Sequence, residues 1–344
     1  MTANNPFSLI FSQPPHLMIP RLRESNLLLD YLNSAVPSTQ AYLITGVRAT
    51  GKTVLMTDIS HKISEDPTWL RVTLNPELDM VRSLYEMLSN QLFYEQTDRG
   101  ANRSPLICLP DDSEGREKDL QTALIGLLKQ LKARRQKVLI DIDEATDSRL
   151  MLDFTSTFDL LLKERLPVFL LMTGLRDNLQ KLLHKQSQTF LSQAPCVILG
   201  PLNTGAISES YQQVLNLDVN TALAMAKLTR GYAYAYQLLG YLCWENPGDY
   251  QAIIPQFRQY LEEYVYEKIW SELSHKDKQL AAAIARCDDG RIATIRAALD
   301  VDTNAFNPYR QRLINRGLVN GEERGFLRFT LPLFERFVLE QDQF

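Results

Sequence analysis

Cysteine is scarce in this chain of 344 residues: Cys108, Cys196, Cys243 and Cys287 stand far apart, with no CxxC pair and no neighbouring histidine cluster. That excludes a disulfide scaffold and a zinc ribbon, and suits ordinary thiols in a reducing compartment. An excess of positive charge is also missing. Lys and Arg number 37 against 41 Asp and Glu, a net charge of −4. No global field therefore draws the chain to nucleic acid, and any such contact must come from a local patch. Long apolar runs are absent. The stretch 168–172 is among the longest and falls far short of a membrane span. The opening MTANNPFSLIFSQPPH has no basic segment leading into an apolar core, so no signal peptide is expected and the chain reads as cytoplasmic, without a membrane partner. What is present is ordinary for a globular protein: 45% hydrophobic and 23% charged residues, on a length that suits two or three domains.

Over the first two hundred residues, short apolar or β-branched runs at 41–45, 69–73, 137–143, 168–173 and 196–200 alternate with helix-period segments at 52–64, 76–94, 118–135 and 148–164. Strands separated by helices of this length predict βαβ crossovers and a mostly parallel sheet buried on both faces. Asn75, Pro76 and Glu77 read as an N-cap, a first-position proline and a first-turn acid. Residues 96–116 are rich in Gly, Pro, Ser and charge and predict an exposed loop, with a short strand pair near 106–109. From 205 to 270 only helical patterns occur, including 220–229 and 232–245. Three more helices at 275–286, 291–299 and 303–316 precede two short extended runs separated by Asn320 to Gly325. Helix, helix, helix and hairpin is the order of a winged helix. The expected domains are 1–203, 204–271 and 272–344, and there is no internal repeat.

Gly46, Val47, Arg48, Ala49, Thr50, Gly51, Lys52 and Thr53 form a full GxxxxGKT, followed by Val54. It comes after a predicted strand and opens a predicted helix, the context that a P-loop needs. Its glycines let backbone amides curl around phosphate oxygens, and the helix end adds positive potential. Lys52 is expected to neutralise the β and γ phosphates of ATP, and the Thr53 hydroxyl to ligate Mg2+. About ninety residues on, Val138 to Glu144 read VLIDIDE, an apolar strand ending in acids. Asp143 is expected to hold Mg2+ and Glu144 to orient or deprotonate the attacking water. Asp141 shares a strand face with Asp143; an approach to the metal and a helix-capping or surface role are both open. At the end of the next strand, Thr173 and Arg176 are the candidates for sensing the γ-phosphate.

These residues and their flanks resemble a family. PPHLMIPRLRE at 14–24, TGVRATGKTVLM at 45–56, IDIDEA at 140–145, MTGLRDNLQKLL at 172–183, QTFLSQAP at 188–195, TRGYAYAYQLLGYLCWE at 229–245 and GLVNGEERGFLRFTLPLFERFV at 317–338 resemble bacterial AAA+ ATP-binding proteins. These are relatives of the archaeal and eukaryotic initiator ATPases and of the signal-transduction ATPases with numerous domains. The resemblance runs from about residue 11 to the carboxyl end. It implies an α/β AAA+-type P-loop core with a parallel five-stranded sheet, a helical lid and a C-terminal winged helix, with ATP in the cleft between core and lid. It also implies a nucleotide-dependent switch with slow or partner-stimulated hydrolysis, acting with a protein partner or as a homo-oligomer. Two departures stand out. Ser192 and Gln193 occupy positions where the family often carries an arginine finger, and Tyr232-Ala233 stands where relatives carry a proline. For Gln237, a polar substitute for a lid arginine and simple packing on its helix face are both open.

Residues 274–344 carry eleven Lys/Arg and ten Asp/Glu. Arg310, Arg312 and Arg316 on the third helix and Arg324 and Arg328 on the wing suit a major-groove helix with wing-to-phosphate contacts. Arg312 and Arg316 are expected on the DNA-facing side, with Arg310 reaching a flanking phosphate. The near-neutral charge keeps docking on protein open as the alternative. A P-loop kinase is disfavoured, because Glu144 suits water activation and no acceptor site is evident.

Overall fold

A computed structural model describes residues 4–10, 14–97, 116–184, 189–321 and 323–342. The expected loop at 96–116 with its strand pair, and Cys108, fall almost wholly outside the described residues. The chain divides into two compact units. One comprises Leu22–Thr45 and Lys52–Ile198, and the other Met1–Arg21, Gly46–Gly51 and Leu199–Phe344.

The sheet unit contains α1 (Leu22–Asn33), β1 (Ala41–Thr45), α2 (Lys52–Ser64), β2 (Trp69–Leu74), α3 (Met80–Thr97), α4 (Arg116–Ala133), β3 (Lys137–Ile142), α5 (Arg149–Lys163), β4 (Val168–Gly174), α6 (Arg176–Leu183), α7 (Thr189–Ser192) and β5 (Cys196–Ile198). The five strands form one parallel sheet in the order β2-β3-β4-β1-β5. Alternate side chains serve its two faces. Leu43, Val72, Ile140, Leu170 and Met172 join one core with residues of α3, α4 and α5 such as Leu84, Leu124 and Phe158. The opposite face meets α2, whose Leu55, Met56 and Ile59 are buried. Pairing of Ile142 with Met172 and of Ile44 with Thr173 brings the carboxyl ends of β1, β3 and β4 level.

One helix start differs from expectation. Asn75 Oδ1 accepts from the Glu77 amide at 2.9 Å, which closes a turn, and α3 begins only at Met80. Asp79 caps it, accepting from the Arg82 amide at 3.0 Å. An asparagine side chain bonding two residues ahead competes with the helix it was expected to cap.

The other unit contains α8 (Thr204–Leu215), α9 (Val219–Leu228), α10 (Ala233–Glu245), a 3-10 turn at Tyr250–Ile253, α11 (Ile254–Leu261), a π turn at Glu262–Tyr266, α12 (Glu267–Ser271), α13 (His275–Ala285), α14 (Ile292–Ala298), α15 (Thr303–Asn315), β6 (Val319–Asn320), β7 (Arg328–Phe329) and α16 (Phe334–Gln341). Asn203, Asp218, Ser274 and Asp302 cap four of these helices through their side chains. α13 to α15 with the β6–β7 hairpin form the winged helix. A single core runs from Phe7 through Tyr211, Tyr236 and Tyr266 to Phe334 and Val338. Arg230, between α9 and α10, ties these helices to the wing, donating to the carbonyls of Phe329 and Leu331 at 3.0 and 2.9 Å and pairing with Glu335 at 2.7 Å.

Candidate functional site

The loop Gly46–Gly51 belongs to the helical unit and is held there through its carbonyls. The Tyr232 hydroxyl donates to the Arg48 carbonyl at 2.6 Å, and the Arg21 guanidinium donates to the Thr50 carbonyl at 3.0 Å. Across a trans peptide the carbonyl and the next amide point in opposite directions. The amides of Ala49 and Gly51 are therefore aimed away from Tyr232 and Arg21. Ala49 lies in the left-handed region at φ 58° and Gly51 at φ 92°. Successive amides in such a turn form a concave anion-binding nest, and at Gly51 only glycine takes that angle without strain. Thr50 closes the loop on itself, its hydroxyl donating to the Val47 carbonyl at 2.8 Å.

The chain then enters α2. Lys52 is buried, and Val54 is half-buried in the same first turn. Within the sheet unit, Thr53 Oγ1 donates to Asp143 Oδ2 at 2.7 Å. The other carboxylate oxygen of Asp143 accepts from the Thr173 hydroxyl, and Thr173 Oγ1 in turn accepts from the Glu144 amide at 3.1 Å. Thr173 is fully buried at the end of β4. Thr53, Asp143, Glu144 and Thr173, expected from four separate motif positions, thus form one connected cluster. Glu144 sits at φ 54° with an exposed side chain. This costly backbone turn carries its carboxylate off the line of β3. Two hard oxygens 2.7 Å apart, on Thr53 and Asp143, suit Mg2+, which keeps waters and phosphate oxygens for its remaining positions. Among the described residues no group of three or more His, Cys, Asp or Glu forms a metal cage, and a phosphate-bridged Mg2+ does not call for one.

Asp141 has a different role from its neighbour. It is fully buried and accepts from Ser60 Oγ and from Arg71 Nε, each at 2.7 Å. Burial pushes its carboxyl above the usual range, and the bonds from Ser60 and Arg71 partly offset this. Its oxygens face α2 and β2, so the open question about Asp141 resolves to a structural ion pair. Arg176 opens α6, where its charge partly counters the rise that burial imposes on the Cys196 thiol; no contact with Asp143 is among those described. Gln237 donates to the Leu17 carbonyl at 2.6 Å and accepts from the Ser8 amide at 3.0 Å. Its amide fixes the N-terminal segment.

The winged-helix arginines differ from expectation. Arg312 turns inward, donating from Nη2 and Nε to Asp277 at 2.8 and 3.0 Å, and Asp277 is buried. Arg316 donates to the Glu272 carbonyl at 3.1 Å. A buried carboxylate at the start of α13 attracts the one guanidinium of α15 that can reach it. The outward side of α15 instead carries Asn304, Asn307, Pro308 and Gln311, with Arg310 half-buried beside Gly321. Arg324 and Arg328 are exposed on the wing. Sequence patterning also missed Arg21, Tyr232 and Glu272 as partners of the phosphate loop. They lie 29, 184 and 224 positions from their partners in the loop, beyond what a local spacing signals.

Residues 263–338 match a family described as "Domain of unknown function (DUF8462)". Among curated proteins none matches this chain. Solved structures do. The Walker-type ATPase PABY2304 of Pyrococcus abyssi is similar at 18% identity and a TM-score of 0.70, over 97% of this chain and 99% of that one. The ORC2 protein of Aeropyrum pernix, in ADPNP-ADP complexes, is similar at 17% identity and a TM-score of 0.59, over 96% and 95%. These likenesses establish the fold: an α/β unit with a five-stranded parallel sheet, a helical region and a C-terminal winged helix.

Proposed function

We propose that this chain is an ATP-binding AAA+-type ATPase that acts as a nucleotide-dependent switch. The observation that carries the reading is the cluster of Thr53, Asp143, Glu144 and Thr173 directly after a loop whose amides are aimed away from its protein partners. Gly46 to Lys52 would take the phosphates, while Thr53 and Asp143 would take Mg2+, which neutralises phosphate charge when bound. Thr173 orients Asp143 and holds the Glu144 amide, so the Glu144 carboxylate is placed to accept a proton from water. Residues 204–271 serve as the lid and 272–344 as the winged helix. Among the described residues no helix is long and apolar enough to cross a membrane.

Removal of the Lys52 ammonium tests the binding half. Lys52→Ala should weaken MgATP affinity at least about tenfold, roughly 1.4 kcal/mol. Calorimetry giving an unchanged Kd on folded protein would remove the P-loop from the proposal.

The winged helix is assigned to duplex DNA, read by the outward side of α15. Asn and Gln there can pair bidentately with adenine edges and Arg310 with guanine, while Arg324 and Arg328 suit phosphates. The inward engagement of Arg312 and Arg316 favours a second reading, in which the domain docks on protein. It also changes the test: reversing Arg312 would place a second carboxylate against Asp277 and unfold the domain. Arg310→Glu with Gln311→Ala avoids that contact. Duplex retention at about 50 mM salt should fall roughly tenfold, with nucleotide binding intact. No duplex retention by the wild-type protein at that salt would select the protein-docking reading.

A further inference from the structure

The P-loop reading leaves open what holds the loop in a phosphate-ready shape when no phosphate is there. Arg48 is an unspecified position of the motif, yet both ends of this residue are engaged within the helical unit. Its carbonyl accepts from Tyr232 at 2.6 Å, and its guanidinium pairs with Glu272 at 3.1 Å. Its neighbour Val47 is buried and packs against the turn that follows α15, where Gly317 stands at φ 70°. A Cβ on Gly317 would lie 2.6 Å from Val47 Cγ2. Glu272 is itself tied to α15, because its carbonyl accepts from Arg316.

We propose that Tyr232 and Glu272 are positioning residues of the phosphate-binding loop: they fix Arg48 from the lid and from the end of α12, and thereby set nucleotide affinity without touching nucleotide. The proposal rests on the nucleotide reading of that loop. Tyr232 suits the task chemically. It is 4% exposed at the N-cap of α10, and burial raises its hydroxyl above the ordinary tyrosine value, which favours the protonated, donating form. Its bond to the Arg48 carbonyl turns the Ala49 amide the other way, and a preformed nest loses less order when an anion arrives. Without it, the left-handed Ala49 would be free to relax to a commoner conformation. The Glu272–Arg48 pair is half-exposed, with side chains 36% and 25% accessible, so its share is the smaller one. Through Glu272 and Gly317 the winged helix bears on the same loop, and linkage makes that influence reciprocal.

The test is calorimetric titration of MgATP into the full chain. Tyr232→Phe removes one oxygen and keeps the ring, and Kd should rise about three- to tenfold. Glu272→Gln should raise it about two- to fourfold. In an Arg48→Gln background, Glu272→Gln should add nothing further, because the partner is gone. Thermal unfolding without nucleotide should move little in Glu272→Gln, which a merely structural role would not allow alongside the affinity loss. MgATP binding by both variants within twofold of a binding wild type overturns the positioning role and leaves the nucleotide reading standing. A wild-type protein that does not bind MgATP overturns both. If Tyr232→Phe fails to fold, the Glu272→Gln cycle alone decides.

Discussion

Glu144→Gln is expected to leave MgATP binding close to wild type and to lower turnover by about two orders of magnitude or more, measured as phosphate release at saturating ATP. The substitution keeps the side chain's volume and removes only its capacity to take a proton. It also keeps the bond of residue 144 to Thr173, 3.1 Å in the wild type, because that bond runs through the backbone amide. The binding residues Thr53 and Asp143 thus stay joined in the variant. Wild-type-like turnover would sink the general-base assignment. Asp141 could not replace Glu144, because both its oxygens are engaged by Ser60 and Arg71. Background-level turnover by the wild-type protein alone would make the chain a binding switch that needs a partner to hydrolyse.

The second large effect falls on stability. Arg71→Met should destabilise the sheet unit by about 2–3 kcal/mol at neutral pH, because it strands the Asp141 carboxylate in a fully buried position. Arg71 is partly exposed, which brings the estimate below the roughly 3–5 kcal/mol of a fully buried pair. The expected fall in unfolding midpoint is roughly 5–10 °C. Its pH dependence has a definite sign. Burial already raises the Asp141 carboxyl, and loss of Arg71 raises it further above the unfolded value near 3.9. A raised folded-state pKa contributes stability that is present below the unfolded pKa and is lost as pH rises through the folded one. The deficit of Arg71→Met should therefore shrink toward pH 4 and be largest at neutral pH and above. Adding Asp141→Asn should recover most of the loss, since the amide keeps the Ser60 bond and carries no charge. A deficit that is flat between pH 4 and pH 8 would show that lost packing, not the stranded carboxylate, causes it.

Asp141 and Asp143 illustrate how far the sequence reads. Period two in VLIDIDE predicts both acids on one strand face, but β3 ends at Ile142 and only Asp141 lies within it. Which acid serves the site depends on neighbours from other elements. Asp143 lies past the strand end, level with Thr53 and Thr173, whereas Asp141 meets Ser60 of α2 and Arg71 of β2. The P-loop, the sheet strands and most helices were legible because each is written in a local pattern. Arg312 was misjudged for the same reason. Helix periodicity puts it on a face, but only the packing of α13 on α15 shows that the face looks at the buried Asp277. Tyr232, Arg21 and Glu272 reach the phosphate loop across separations that no local pattern encodes.

The helical unit is assembled from three separate stretches of chain, and this bears on the order in which the protein can form during synthesis. Phe7 packs on Tyr211 and Tyr236, and its ring lies against Gly240. The Ser8 amide finds its acceptor on Gln237, 229 residues later. A ribosome adding about 5–20 residues per second needs on the order of ten seconds or more between making Phe7 and making its partners. By the end of that interval both stretches of the sheet unit, Leu22–Thr45 and Lys52–Ile198, have been made, while the segment around Phe7 still waits with an aromatic side chain uncovered. Loop closure over such a span is entropically slow. Phe7 and Ser8, made some two hundred residues before their partners, are thus among the last residues of this chain to reach their native place.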